Sequence, residues 1–341
     1  MSCSAIRLSV IVPGCNNPEK WWRRCVASVL AACGAEDEVI CVDDGSKTPV
    51  EPGWVFADSD ARVSLYRKGN GGLSSARNYG MGKVCGRYIA FVDSDDEVSP
   101  ESFDHCIRHI EATKSDICVY GVKTIWVDEG LYKIDVAENK SYGALRPIDV
   151  RELLRKRLLN YAWNKVYCRG FLVSNNLKFD VDGMPCEDVI FNLHCIMAGA
   201  RWCSLNYVGY VYYRTGLTLL SSYKPSNING LMAGSIAWRN YKQSSQKAGE
   251  MFGMFGEISE AELQKAEWVN MWKPKSPFTM SERYKWLKEN GRFINGRYVF
   301  LEMVRSLVLA FARRCLYFRP VRRWNIKRQY PDAVELRSGV E

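Results

Sequence analysis

Asp93-Ser94-Asp95-Asp96 sets three carboxylates within four residues, directly after the apolar run Tyr88-Ile89-Ala90-Phe91-Val92. Carboxylates so crowded repel one another, and such a cluster calls for a compensating cation. In an extended chain, residues two apart point the same way. Asp93 and Asp95 can therefore share one ligand while Ser94 faces elsewhere. Hard oxygen donors suit Mg²⁺ or Mn²⁺, and Mg²⁺ is commonly held by a few carboxylates together with substrate phosphates. A solvated turn ahead of a helix starting at Ser99-Pro100-Glu101 would account for the same acids without any ligand.

A second acidic strand end favours the ligand. Glu38-Val39-Ile40-Cys41-Val42 closes in Asp43-Asp44-Gly45-Ser46. Two apolar runs with acidic ends and helical stretches between them describe parallel β-α units. Ligands of such sheets bind in the crevice beyond the carboxyl ends of the strands. Both acidic groups then face one crevice.

The elements that must position these groups follow from pattern and punctuation. Strands are expected at 8–12, 38–42, 62–66, 87–92, 117–120 and 207–213. Helices are expected from Asn17-Pro18 to about Ala32, over 74–84, from Ser99 to about Thr113, and over 149–159 and 187–198. The stretch 124–145 reads as a hairpin, and the texture from Pro225 onward is helical and polar. The loop Lys68-Gly69-Asn70-Gly71-Gly72 leads into a helix whose start can approach phosphate.

At 341 residues, 47% hydrophobic and 25% charged, the chain is globular in composition, with room for one large domain and an appendage. Its 13 cysteines are scattered without a C-x-x-C pair, and Leu8 to Val12 is too short for a secretory signal. Reduced, mostly buried thiols in a cytoplasmic protein are the expectation. The formal charge of +9 is uneven: from Arg297 onward ten basic residues face four acidic ones. Between Tyr298 and Ala312 the apolar side chains fall on one side of a helical wheel. Seven basic residues follow from Arg313 to Arg328 with no acid among them. That is the pattern of an interfacial helix with a polybasic flank, so an anionic membrane surface is the expected partner. A helix packed on the catalytic domain, with a solvated basic face, fits the same pattern. No nucleic-acid-binding module is present in the sequence.

Several ordered motifs carry a resemblance: Ser9-Val10-Ile11-Val12-Pro13, Val42-Asp43-Asp44-Gly45-Ser46 and Gly72-Leu73-Ser74-Ser75-Ala76-Arg77-Asn78. Phe91-Val92-Asp93-Ser94-Asp95-Asp96, Trp163-Asn164-Lys165, Glu187-Asp188 and Tyr212-Tyr213-Arg214 follow in order. Over residues 6 to 222 the chain resembles the inverting glycosyltransferases of family 2, of bacterial surface-polysaccharide type. The resemblance implies an α/β GT-A fold, a Rossmann-like and mostly parallel sheet flanked by helices, over 1–222. The nucleotide-sugar half is expected at about 1–120 and the acceptor half at about 121–222. A helical C-terminal region, 223–341, carries the basic tail 297–328.

The resemblance also implies roles. Pro13, Asn16, Asp43, Asp44, Arg77, Asp93 and Arg214 would contact the donor nucleotide, with Asp44 preferred to Asp43 for the base or ribose. Asp93 and Asp95 would hold Mn²⁺ or Mg²⁺. Asp188, with Glu187 beside it, would take the acceptor proton, and Trp163, Asn164 and Lys165 would shape the acceptor side. Arg77 equally suits a structural pair for one of the aspartates. The implied reaction moves a sugar from a nucleotide sugar, expected to be a UDP-sugar, to a glycan or lipid-linked glycan. The implied place is the inner face of the cell membrane.

Family members often carry an aromatic residue where this chain has Cys15, and a thiol cannot stack on a base as a ring does. A dinucleotide-dependent oxidoreductase is disfavoured, because G-x-G-x-x-G is missing after the first strand and G-x-x-x-x-G-K-[ST] is missing throughout. A metal-dependent nucleotidyltransferase would keep the same carboxylates but release pyrophosphate. A silent sugar-nucleotide binding module is the non-enzymatic alternative.

Overall fold

Strand β1 (Leu8–Gly14) is buried along nearly its whole length, as a continuous apolar run between two helical layers should be. The computed structural model describes residues 6–181 and 187–215, with short pieces within 279–285 and 323–336. The chain divides into two units, Met1–Thr124 with Ile134–Asp182 and Cys186–Tyr213, and Ile125–Lys133 with Gly183–Pro185 and Arg214–Glu341.

In the first unit β1 lies between β2 (Glu38–Asp44) and β4 (Tyr88–Phe91), and β2 pairs with β3 (Val63–Lys68). All three pairings are parallel. On one side of this sheet, α1 (Glu19–Ala32) presents Trp22, Cys25, Val26 and Val29 at helical spacing. On the other, Ala76 of α2 (Leu73–Met81) packs on Ile40 and Val42. Gly80 of α2 sits so close to β1 that an added Cβ would lie 2.5 Å from Ile11 Cγ2. The glycine lets this helix approach the sheet.

The sheet is mixed, because its parallel part stops at β4. There β9 (Lys165–Cys168) inserts antiparallel between β4 and β6 (Ile117–Trp126). The long β10 (Arg201–Arg214) runs antiparallel to β5 (Glu97–Val98) and β8 (Lys140–Ala144). Helix α3 (Ser102–Thr113) begins later than the Ser99-Pro100 signal, after Glu101 in a left-handed conformation. Helices α4 (Pro147–Arg155), α5 (Arg169–Ser174) and α6 (Glu187–Met197) complete the described first unit.

In the second unit β7 (Leu131–Asp135) begins, and its residues Leu131 and Tyr132 pair with the short β11 (Val334–Glu335). Trp126, Leu131, Tyr330 and Ala333 form a small buried cluster. This cluster and pairing tie 125–133 to the C-terminal region, which contributes a strand within a stretch expected to be helical. The amphipathic stretch 298–312 lies outside the described residues. Of the described tail residues, Arg323 and Lys327 both pair with Glu335, while Trp324 is exposed beneath Arg328. No described helix is long and apolar enough to cross a membrane.

Among the described residues nine cysteines are free thiols, six of them buried. Cys85 departs from the expectation of reduced thiols, being disulfide-bonded.

Candidate active site

Beyond β4 the period-two alternation persists. Asp93 and Asp95 are half-buried, while Ser94 and Asp96 turn fully inward. Ser94 Oγ accepts a hydrogen bond from Asn17 Nδ2 at 2.6 Å. Asp96 accepts from the Tyr210 hydroxyl and from the Tyr213 amide, both at 2.9 Å, and burial pushes its carboxyl well above the ordinary range. The third carboxylate of the cluster is therefore a structural anchor to β10.

Asp93 and Asp95 are left facing the crevice. Burial, with the Asp93 charge second, pushes the Asp95 carboxyl up to about 6. Among the described residues no other side chain donates to that carboxylate, although Arg24 holds the Asp95 carbonyl. No group of three or more His, Cys, Asp or Glu gathers as a closed metal cage among the described residues. Two converging hard carboxylates still fit a divalent ion that completes its shell with phosphate oxygens and water.

At the end of β2 the two aspartates serve different loops. Asp43 Oδ1 accepts the Ser46 amide at 2.9 Å, and Oδ2 accepts Arg67 at 3.0 Å and the Val50 amide at 3.3 Å. Asp44 accepts Lys68 Nζ at 2.6 Å, the Gly71 amide on both oxygens, and the Gly72 amide at 2.8 Å. Each aspartate thus accepts from three donors, and a carboxylate offers about four acceptor directions. At the α2 start, Asp44 takes the Gly71 and Gly72 amides. Gly45, at φ +68°, permits the tight turn; an added Cβ would meet the Asn70 amide nitrogen at 2.6 Å.

Pro13 pairs with Val42 in the β1–β2 register. Asn16, in a left-handed conformation, ties the two strand-end loops together: its amide donates to Ser46 Oγ, and its Oδ1 accepts the Lys47 amide, each at 2.8 Å. Cys15 Sγ accepts from Asn70 Nδ2 at 3.2 Å.

Arg77 stands at the centre. Its guanidinium, 1% exposed, donates through one terminal nitrogen to Asp93 Oδ1 at 2.9 Å and through the other to Asp188 Oδ1. The two carboxylates hold the guanidinium charged and raise its pKa against the cost of burial. Asp188 and Glu187 open α6, where the helix dipole favours negative charge. The Asp188 side chain is 13% exposed. Burial, and then the Asp188 charge, push the Glu187 carboxyl up to about 7. Asp93, Arg77 and Asp188 thus form one connected group.

Trp163 is stacked between Tyr210, with centroids 3.9 Å apart, and Tyr161, at 4.3 Å. Asn164 and Lys165 are fully buried and hold the loop at 158–164. Asn164 Nδ2 donates to the Tyr120 and Leu158 carbonyls, and Lys165 Nζ donates to the Leu158 and Tyr161 carbonyls and to Asn164 Oδ1. Burial lowers the Lys165 pKa to about 7. These side chains give shape and do not present groups to a ligand. Arg214 ends β10, where its carbonyl accepts the Val127 amide at 3.1 Å. Three participants escaped the sequence reading: Arg24, Tyr210 and Phe179. Only Tyr210 had a signal, its two-residue spacing from Tyr212 on a strand.

Residues 9–171 match the family model described as Glycosyl transferase family 2. The chain is 33% identical over 227 residues to the uncharacterized glycosyltransferase EpsJ of Bacillus subtilis, covering 64% of each protein. It is 29% identical over 223 residues to the succinoglycan biosynthesis protein ExoO of Rhizobium meliloti, covering 63% of each. The match thus spans somewhat under two thirds of the length of these relatives. The structure of S. aureus TarS 1–349 in complex with UDP-GlcNAc resembles this one with a TM-score of 0.62 at 18% identity, covering 95% of this chain and 92% of that one. At such identity the likeness speaks to the fold. A parallel half ending in paired carboxylates, and a family match that begins in β1 and ends just after β9, make residues 9–171 similar to glycosyl transferase family 2, and the fold is GT-A.

Proposed function

We propose that the chain is an inverting glycosyltransferase that moves a sugar from a uridine diphosphate donor to a glycan or lipid-linked glycan. The observation that carries this reading is the single guanidinium shared by Asp93, at the mouth of the parallel sheet, and Asp188, at the start of α6. It brings a phosphate-side carboxylate and a proton acceptor to one crevice. The names of the relatives support the class of reaction, and the UDP-GlcNAc bound to TarS supports the donor class.

In the forward step Asp188 takes the proton of the acceptor hydroxyl as its oxygen bonds to the anomeric carbon. The bond from that carbon to the diphosphate breaks on the opposite face, so the configuration inverts. A divalent ion held by Asp93 and Asp95 would supply positive charge for the departing diphosphate. Arg77 holds the Asp188 carboxylate in place through their ion pair. Asp43 and Asn16 hold the loops that frame the donor side.

A panel of nucleotide sugars offered with Mn²⁺ tests the reading. At least one uridine diphosphate sugar is expected to yield UDP. Pyrophosphate in its place would make the chain a nucleotidyltransferase, and bound but unreacted donor would make it a binding module.

The membrane partner belongs to this proposal too. Its support is the polybasic pattern from Arg313 to Arg328, with the exposed Trp324 within it. The full chain should float with anionic liposomes at low salt, and a chain ending at Asn295 should not. Equal behaviour of the two would remove the membrane from the account.

A further inference from the structure

Arg77 and its neighbour Asn78 both leave α2 for the segment that carries the proposed base. Arg77 grips Asp188 directly. Asn78 grips the main chain of Phe179 in both directions, donating from Nδ2 to the Phe179 carbonyl at 2.7 Å and accepting the Phe179 amide on Oδ1 at 2.9 Å. The Phe179 ring lies under the Arg77 guanidinium, 5.1 Å from its centroid. The same ring stacks on Phe191 at 4.0 Å and 10°, and meets Phe91 of β4 edge-on at 5.2 Å. Phe191 lies three residues beyond Asp188, on the same face of α6. Asn78 therefore sets Phe179, Phe179 sets Phe191, and Phe191 sets the helix that presents Asp188.

Arg77 has little left to offer a ligand. Each terminal nitrogen gives one N–H to a carboxylate, and the side chain is 1% exposed. The Arg77 Nε is buried without a described partner. At that burial the guanidinium offers a donor nucleotide almost no surface to touch. We infer that Arg77 and Asn78 are positioning residues, which together register Asp188 against the donor-side Asp93, and that neither binds the donor. This rests on the proposed role of Asp188 as the base.

The consequence is a separation of turnover from binding. A misplacement of about 1 Å at a reacting group can cost on the order of a hundredfold in rate. Lysine keeps the charge at 77 but replaces the planar fork by one compact ammonium, so it cannot hold both carboxylates in the same way. Arg77→Lys and Asn78→Ala are each expected to lower kcat at saturating donor by about ten- to a hundredfold. The Kd for UDP with Mn²⁺, read by calorimetry, should stay within about threefold, under 1 kcal/mol. Arg77→Met should be worse than Arg77→Lys in kcat while sharing its UDP affinity. If Arg77→Met fails to fold, Arg77→Lys and Asn78→Ala still decide the question, with melting temperature measured alongside.

Weakened UDP binding in step with lost turnover would make Arg77 a donor ligand and overturn the inference. Unchanged kcat in both Arg77→Lys and Asn78→Ala would overturn it as well. Asp188→Asn separates the two failures. If Asp188→Asn transfers normally, the base assignment falls, and the inference falls with it. If Asp188→Asn is inactive while the two positioning variants turn over normally, the base stands and the positioning role alone is lost.

Discussion

Asp188→Asn is expected to cut sugar transfer by about a hundredfold or more, the usual cost of losing a general base. The substitution is nearly isosteric, and its amide oxygen can still accept the hydrogen bond that Arg77 gives to Asp188 Oδ1. It cannot take a proton. Donor affinity should barely change, because the proposed donor contacts lie at the ends of β1, β2 and β4, and the amide keeps the Arg77 contact. Glu187 provides the internal control. Its carboxyl, raised to about 7 by burial and by the Asp188 charge, is substantially protonated near neutrality. Gln resembles that neutral form, so Glu187→Gln should keep most of the activity. Inactive Glu187→Gln beside active Asp188→Asn would exchange the two roles. The argument for Asp188 is geometric: the Arg77 guanidinium holds and aims its carboxylate, whereas no such described ion pair holds Glu187.

Removing the cation should have an effect of similar size. With excess chelator, transfer is expected to fall by about a hundredfold or more, since metal charge at a leaving oxygen is worth several kcal/mol. Asp95→Ala should reproduce that loss with Mn²⁺ present. The fold should survive the substitution, for a local reason. No other described side chain donates to the Asp95 carboxylate, and Arg24 holds the main-chain carbonyl, which alanine keeps. In the wild-type chain, UDP with Mn²⁺ should raise the melting temperature, as any ligand of the folded state does. Asp95→Ala should show a smaller rise. Full activity in excess chelator would remove the metal from the mechanism.

Much of this site could be read before any coordinates. The strand before Asp93 is a continuous apolar run, and its period of two separates Asp93 and Asp95 from Ser94 whatever the tertiary context. The parallel order of β1 to β4 follows from apolar runs alternating with helical stretches. What stayed hidden depends on long-range pairing. Asp43, Asp44 and Asp96 look like ligands as readily as Asp93 does. Each also ties loops together, through partners at Val50, Arg67, Gly71, Tyr210 and Tyr213, and no local pattern announces those contacts.

Arg77 and Asp188 are 111 residues apart in the chain. Nothing in Ala76-Arg77-Asn78 says which of the aspartates it will meet. Phe179 sits in the polar stretch Asn175-Asn176-Leu177-Lys178-Phe179-Asp180 and looks like a surface ring. β9 was missed because it is only four residues long and opens on a buried lysine. The pairing of β7 with β11, which joins 131–132 to 334–335, is likewise long-range and has no local signal.

The most direct measurement is product analysis by phosphorus and proton NMR, with whichever uridine diphosphate sugar the panel selects. The account predicts UDP as the phosphorus product, and a transferred sugar whose anomeric configuration is opposite to that in the donor. Pyrophosphate, or a product that retains the donor's configuration, would contradict it.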